Sequence, residues 1–284
     1  MRIHYRVPAL LAHGRSGVSR RDFIKAGLAA LATPPAASCL GSPMQPKVSV
    51  SPRLAARPGT PTAVPTLGLS PLGLGSERDG LLYVPQSYSP DTPMPLFVGL
   101  HGFGQSGAYW ASYPDRAEAR GMVFLAPDSR GQTWDAAQGA FGADVEFMNR
   151  ALTYVFERCR IDPAHVALGG FSDGATCALS LGLANGDLFT NVVAYSPGFI
   201  LLADSEVGWP QIFVSHGTLD SVIPVGNSRD KIVPYLQAAG YSVMYQEFEW
   251  GHAVPPEISD TALDWFLGVG ATAVPPSGTA TSGP

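Results

Sequence analysis

The chain has 284 residues, 45% of them hydrophobic and only 14% charged, with 32 glycines and 26 prolines. That apolar fraction excludes a disordered chain, the glycines follow no collagen period, and no run of about 18 apolar residues offers a mature membrane-spanning helix. The net charge of −5 is unevenly spread: residues 1–38 carry Arg2, Arg6, Arg15, Arg20, Arg21 and Lys25 against Asp22 alone. The acidic excess therefore lies in the remainder, which has no electrostatic footprint for nucleic acid or anionic lipid. Cys39, Cys159 and Cys177 are far apart and form no CxxC pair, so neither a disulfide scaffold nor a zinc site is expected.

Residues 1–38 predict an export signal. Ser19-Arg20-Arg21-Asp22-Phe23-Ile24-Lys25 precedes the apolar run Ala26-Gly27-Leu28-Ala29-Ala30-Leu31-Ala32, then small residues. A basic region, an apolar region and a small-residue cleavage point are the layout of a secretory signal. The adjacent arginines before Phe23 resemble the twin-arginine signal, read by an export machinery that moves folded proteins. Cleavage near Ala36-Ala37-Ser38 would fall just before Cys39, which resembles a lipoprotein processing site, although Ala36 stands where that pattern prefers Leu. Two destinations stay open: free in the periplasm or medium, or held at a membrane through an acylated Cys39.

Residues 39–71 are rich in Pro, Ser, Thr, Ala and Gly, and Pro52, Pro58, Pro61, Pro65 and Pro71 would interrupt any helix. This stretch reads as a disordered linker, and 269–284 as a disordered tail. Between them, 72–268 reads as one folded domain.

Within that domain, strands are predicted at Leu81–Pro85, Pro95–Leu100, Met122–Ala126, Val166–Phe171, Val192–Tyr195, Gln211–Ser215 and Val243–Phe248, as short apolar runs bounded by turn residues. A long amphipathic helix follows the candidate N-cap Asp144, presenting Val145, Met148, Leu152, Val155 and Phe156 on one face. Further helices are predicted at Gly174–Ala184, around Lys231–Ala239 and at Ile258–Phe266. Strands alternating with helices predict an α/β fold, a mainly parallel central sheet with helices on both faces. Sites in such sheets gather at the carboxyl ends of the strands.

The motifs fall there. Gly170-Phe171-Ser172-Asp173-Gly174 is a G-x-S-x-G sequence between an apolar strand and a small-residue helix, where a strained turn exposes a serine hydroxyl. Such a hydroxyl needs a base. Of the six histidines, only His252 follows both the serine and the acid candidate Asp220, the order Ser…Asp…His expected for this topology. Asp220, in the turn His216-Gly217-Thr218-Leu219-Asp220, suits the acid better than Asp204 in an irregular loop or Asp230 in a predicted helix. Leu100-His101-Gly102-Phe103-Gly104 closes an early strand, so the backbone N–H groups of Phe103 and Asp173 form the natural oxyanion pair. Trp110 and Trp134 follow strand-end loops and would serve either as pocket walls or as packing. Cys159 and Cys177 would either pair after export or remain buried thiols.

Together, His101-Gly102, the GFSDG turn, the HGTLD turn and the late Gly251-His252 resemble the α/β-hydrolase superfamily over about residues 72–268. Within it, the sequence is similar to the phospholipase/carboxylesterase group and to exported polyhydroxybutyrate-depolymerase-like esterases. The resemblance implies a sheet of about eight strands, no cofactor, a small-molecule ester substrate and hydrolysis through an acyl-enzyme, with Ser172, Asp220 and His252 in the triad places. The sequence departs from both groups at Asp173, where relatives often carry Gln or Asn. No separate polymer-binding domain is visible. An acyltransferase, peptidase or perhydrolase on the same triad, or a non-catalytic binding protein of this fold, are the competing outcomes.

Overall fold

A computed structural model describes residues 50–75, 77–203 and 206–269. The expected export signal, Cys39, Asp204 and the tail beyond Val269 lie outside the described residues.

Eight strands form one sheet: Gly68–Pro71 (β1), Gly80–Val84 (β2), Met94–Leu100 (β3), Val123–Pro127 (β4), Ile161–Phe171 (β5), Asn191–Tyr195 (β6), Gln211–Gly217 (β7) and Val243–Phe248 (β8). Their order is β1-β2-β4-β3-β5-β6-β7-β8. β2 pairs antiparallel with both β1 and β4, and the other neighbours pair parallel. The helices are Tyr113–Ala119 (α1), Ala143–Arg158 (α2), Asp173–Ala184 (α3), Val233–Ala238 (α4) and Pro256–Phe266 (α5).

The central strands β3 to β7 are largely apolar because both their faces are covered, and the alternation of side chains divides them between two cores. Leu96, Val98, Leu100, Leu125, Leu168, Val192 and Val214 face one core, with residues of α2, α3 and α4. Phe97, Phe124, Ala167, Val193 and Phe213 face the other, with residues of α1 and α5. The second core is largely aromatic: Phe97 lies against the rings of Tyr113, Phe124 and Phe266. Truncating a fully buried side chain such as Leu168 to Ala would cost about 2–5 kcal/mol.

Two expectations are corrected and one open alternative is resolved. The stretch expected to be linker contains β1, and before it residues 50–67 form a strap bound to the body. Leu54 and Ala56 are buried in the first core. Asn149 Oδ1 accepts the N–H groups of Ala55 and Ala56 at 2.7 and 2.9 Å, and Glu157 O accepts those of Thr62 and Ala63. Asn185 Oδ1 accepts Leu54 N–H, while its amide donates to Pro52 O. Arg53 makes two bonds to the Asp187 carboxylate, which Arg57 also reaches at 2.6 Å. Side chains thus satisfy a backbone that proline keeps out of regular structure.

Asp144 is not an N-cap; it is the second residue of α2, after Gly142. Its buried carboxylate instead accepts the N–H groups of Arg130 and Asp135, fixing the loop after β4. Burial raises its pKa to about 6, against the pull of those two bonds. Cys159 and Cys177 are both free and buried, which settles the alternatives in favour of thiols that pack as small apolar groups.

Candidate active site

β5 ends at Phe171 and α3 begins at Asp173, leaving Ser172 alone in the turn. Its φ of 57° is left-handed, a strain of about 1–3 kcal/mol for a residue with a side chain. The flanking glycines are required by close backbone approach. A Cβ on Gly170 would lie 2.2 Å from Gly174 O, and one on Gly174 would lie 2.2 Å from Leu100 O. The turn is tied down when Ser172 N–H donates to Tyr195 O on β6, and Ala175 and Thr176 N–H donate to Ser172 O.

The loops after β7 and β8 bring two more groups to this turn. His252 Nε2 is 2.9 Å from Ser172 Oγ, and His252 Nδ1 is 2.6 Å from Asp220 Oδ2. The other carboxylate oxygen of Asp220 accepts Val222 and Ile223 N–H at 2.9 and 2.8 Å. Burial opposes ionisation of Asp220, but the bonds from His252 and these two N–H groups outweigh it and hold its carboxyl below the usual range. A carboxylate facing Nδ1 fixes the proton there, leaving Nε2 free to accept from the serine. Buried His216 braces the acid: its Nε2 faces Ile223 O at 2.8 Å and Asp220 Oδ2 at 3.3 Å, and its Nδ1 faces Ser228 Oγ at 2.7 Å. Two acceptors at Nε2 place the proton there, and burial keeps this imidazole neutral by lowering its pKa.

The loop after β3 passes over the serine: a Cβ on Gly102 would lie 3.5 Å from Ser172 Cβ. Phe103 follows Gly102 in that loop, and Asp173 N–H stands at the first position of α3, where the helix dipole favours negative charge. Asp173 Oδ2 accepts Thr133 Oγ1–H at 2.5 Å. The Trp134 indole lies beneath, donating to His101 O at 2.8 Å.

Ser172, Asp220 and His252 therefore meet at the carboxyl ends of β5, β7 and β8, with Asp173 next to the serine and Phe103 in the loop after β3. Asp230 does not join them; it lies in the single π-helical turn Asn227–Ile232. Trp110 and Trp134 are packing, not pocket walls, since each is almost wholly buried. Exposed apolar side chains stand close in the chain to these residues instead: Phe103, Leu219, Val222 and Trp250. Sequence reasoning passed over the supporting residues His216, Ser228 and Thr133; the only signal was His216-Gly217 at a strand end. Among the described residues, no group of three or more His, Cys, Asp or Glu is placed to hold a metal ion.

An eight-stranded sheet in this order, with a strained serine after β5 and an imidazole and carboxylate after later strands, defines the α/β-hydrolase fold. The comparisons agree. Residues 135–265 match the phospholipase/carboxylesterase family. Feruloyl esterase C of Emericella nidulans is 27% identical over 157 residues, 52% of this chain and 57% of that protein. The chain thus spans rather more than half the length of that curated relative. Among solved structures, esterase PE8 shares the fold with a TM-score of 0.55 and 22% identity, over 72% of this chain and all of that one. Acetyl xylan esterase from Aspergillus awamori does so with a TM-score of 0.55 and 15% identity, over 70% and 98%. The chain has the α/β-hydrolase fold, and residues 135–265 of it resemble the phospholipase/carboxylesterase family.

Proposed function

We propose that the chain is a serine esterase that hydrolyses carboxylic esters through an acyl-enzyme. The observation that carries this reading is the single line of contacts Ser172 Oγ–His252 Nε2–Asp220 Oδ2, at 2.9 and 2.6 Å, on a strained turn. Ser172 Oγ attacks the ester carbonyl while His252 Nε2 takes its proton; the Phe103 and Asp173 N–H groups receive the oxyanion. Collapse expels the alcohol, which takes that proton from His252. Water then attacks the acyl-enzyme with His252 again as base, releasing the acid and restoring Ser172. Asp220 stays ionised and holds the imidazole in the required tautomer.

The match to a protein named feruloyl esterase C, with exposed apolar side chains at Phe103, Leu219, Val222 and Trp250 in the same loops, supports an ester of an aromatic acid as substrate. Ser172→Ala should lower turnover by roughly three to six orders of magnitude and leave the fold intact. Purified Ser172→Ala that keeps more than a few per cent of wild-type activity would end this assignment. Turnover of a feruloyl ester beside a p-nitrophenyl ester chain-length series and a lysophospholipid tests the substrate; a preference for the lysophospholipid would reject an aromatic acyl group.

The twin arginines support export before action. Replacing Arg20 and Arg21 by lysine should strand activity in the cytoplasm. Unchanged periplasmic or extracellular activity in that double variant would reduce them to an ordinary basic region, and retained membrane association of Cys39→Ser would exclude lipidation as the anchor.

A further inference from the structure

We propose that Arg78, in the loop between β1 and β2, is a positioning residue for the ester hydrolysis proposed above: it locks the peptide unit joining Gly102 to Phe103 and so aims the Phe103 N–H at the developing oxyanion. This rests on the reading of Ser172 as nucleophile and Phe103 N–H as oxyanion donor.

The Arg78 guanidinium spans two loops. Its Nε–H donates to Ser129 O at 2.5 Å in the loop after β4, and its Nη2–H donates to Gln105 O at 2.7 Å in the loop after β3. The same Nη2 lies 3.3 Å from His101 Nε2 and from Ser129 Oγ. Arg130 in turn donates to Arg78 O at 2.7 Å, holding the backbone from which the fork projects.

These contacts decide where the proton of His101 sits. Ser129 N–H points at His101 Nε2 from 3.0 Å, and the guanidinium faces the same atom. With two donors there, Nε2 must present its lone pair, so the proton is on Nδ1. Nδ1–H then donates to Gly102 O at 2.8 Å. Burial, together with the adjacent positive charge of Arg78, lowers the pKa of this imidazole and keeps it in the neutral form that the arrangement needs.

Peptide geometry carries the effect one atom group further. The Gly102–Phe103 peptide is planar and trans, so its C=O and N–H point in opposite directions. Whatever fixes Gly102 O therefore fixes Phe103 N–H. Gly102 O is held by His101 Nδ1–H and by Gln105 N–H at 3.3 Å, and Gly102 N–H is held by Gln105 Oε1 at 3.0 Å. Arg78 stands behind both holders, on the ring of His101 and on the carbonyl of Gln105. Side-chain packing does little here, because Phe103 is 63% exposed. Without the fork, glycine's freedom at Gly102 lets the peptide rotate and the donor swing away.

The test compares wild type, Arg78→Gln and Arg78→Lys, with competent sites counted by the end point of fluorophosphonate labelling. In a folded variant, kcat per competent site on p-nitrophenyl acetate should fall about 10- to 100-fold, short of the 10²–10³ lost with a whole oxyanion donor. KM should stay within about threefold, because ground-state binding does not use this N–H. An aryl boronic acid, whose tetrahedral adduct occupies the oxyanion position, should weaken by the same factor as kcat. Unchanged kcat per site, or a loss confined to KM, would overturn the proposal. If Arg78→Gln does not fold, Arg78→Lys, which keeps the charge without the fork, decides it by the same readouts. Failure of fluorophosphonate to label Ser172 in wild type would instead sink the underlying reading, whatever Arg78 does.

Discussion

The loops at the carboxyl ends of the strands and the strap at residues 50–67 are built by one device and serve opposite ends. In both, irregular backbone is captured by buried polar side chains: Asp220 holds Val222 and Ile223 N–H, while Asn185 holds Leu54 N–H and Pro52 O. At the strand ends each captured group orients a further group, so Asp220 fixes His252, which faces Ser172. In the strap the capture ends where it is made. Errors in the first region should therefore appear as lost rate with stability retained, and errors in the second as lost stability with rate retained.

The largest effect expected is on the first side of that contrast. In Asp220→Asn the two backbone donors, Val222 and Ile223 N–H, would claim the amide oxygen for the position of Oδ1. The amide nitrogen is then forced into the place of Oδ2, as a donor facing His252 Nδ1. The imidazole must present a lone pair there and carry its proton on Nε2, where it no longer accepts from Ser172. Turnover should fall by about 10⁴ while the melting temperature moves little. Asp230→Asn should be mild, since Asp230 lies apart in the turn after β7; a large loss at Asp230 with little at Asp220 would reassign the acid.

The strap gives the converse. Asn185→Ala leaves Leu54 N–H and Pro52 O without their buried partner, which should cost about 1–3 kcal/mol for each group that water cannot reach. For a domain of this size each kcal/mol lowers the melting temperature by roughly 2–4 °C. Asn185 ends α3 at the opposite end from Ser172, so kcat per competent site should remain within about twofold. A folded Asn185→Ala with unchanged melting temperature but lost turnover would erase the distinction between the two regions.

The same contrast explains what was legible in the sequence. Ser172, Asp220 and His252 could be read because chemistry dictates their type and topology dictates their chain order. The strands from β3 to β7 could be read because burial on both faces makes them largely apolar, and β2 and β8 because short β-branched and aromatic runs end in turn residues. β1 could not: its Gly-Leu-Ser-Pro lies at the sheet edge and pairs with β2 alone, so nothing demands an apolar run. α1 was missed because it buries only Tyr113 and Ala117 and shows no continuous stripe. The strap reads as linker because its partners, Asn149, Asn185 and Asp187, lie far along the chain. Arg78 is hidden for the same reason: its bonds reach 23 to 51 residues away, and nothing in Arg78-Asp79-Gly80 marks a role.

The smallest effect concerns acid. Asp187 is held down to about pKa 2, first by the hydrogen bond from Arg53, with burial opposing and Arg57 adding to it. Its folded value lies below the unfolded value of about 3.9, so the ion pairs contribute fully above that pH, and the contribution is lost as pH falls toward 2. The partners are about one-third exposed, so solvent screening leaves the pairs worth only about 0–1 kcal/mol. Global unfolding is thus a poor readout, and local opening a good one. Between about pH 4 and pH 2, protection of Leu54 N–H, measured against its intrinsic exchange rate at each pH, should fall a few-fold ahead of the sheet amides, and Asp187→Asn should show that few-fold lower protection already at neutral pH, with no such step on acidification. A strap that opens equally in wild type and Asp187→Asn across that range would mean that Asn149 and Asn185 hold it and that the arginines add nothing.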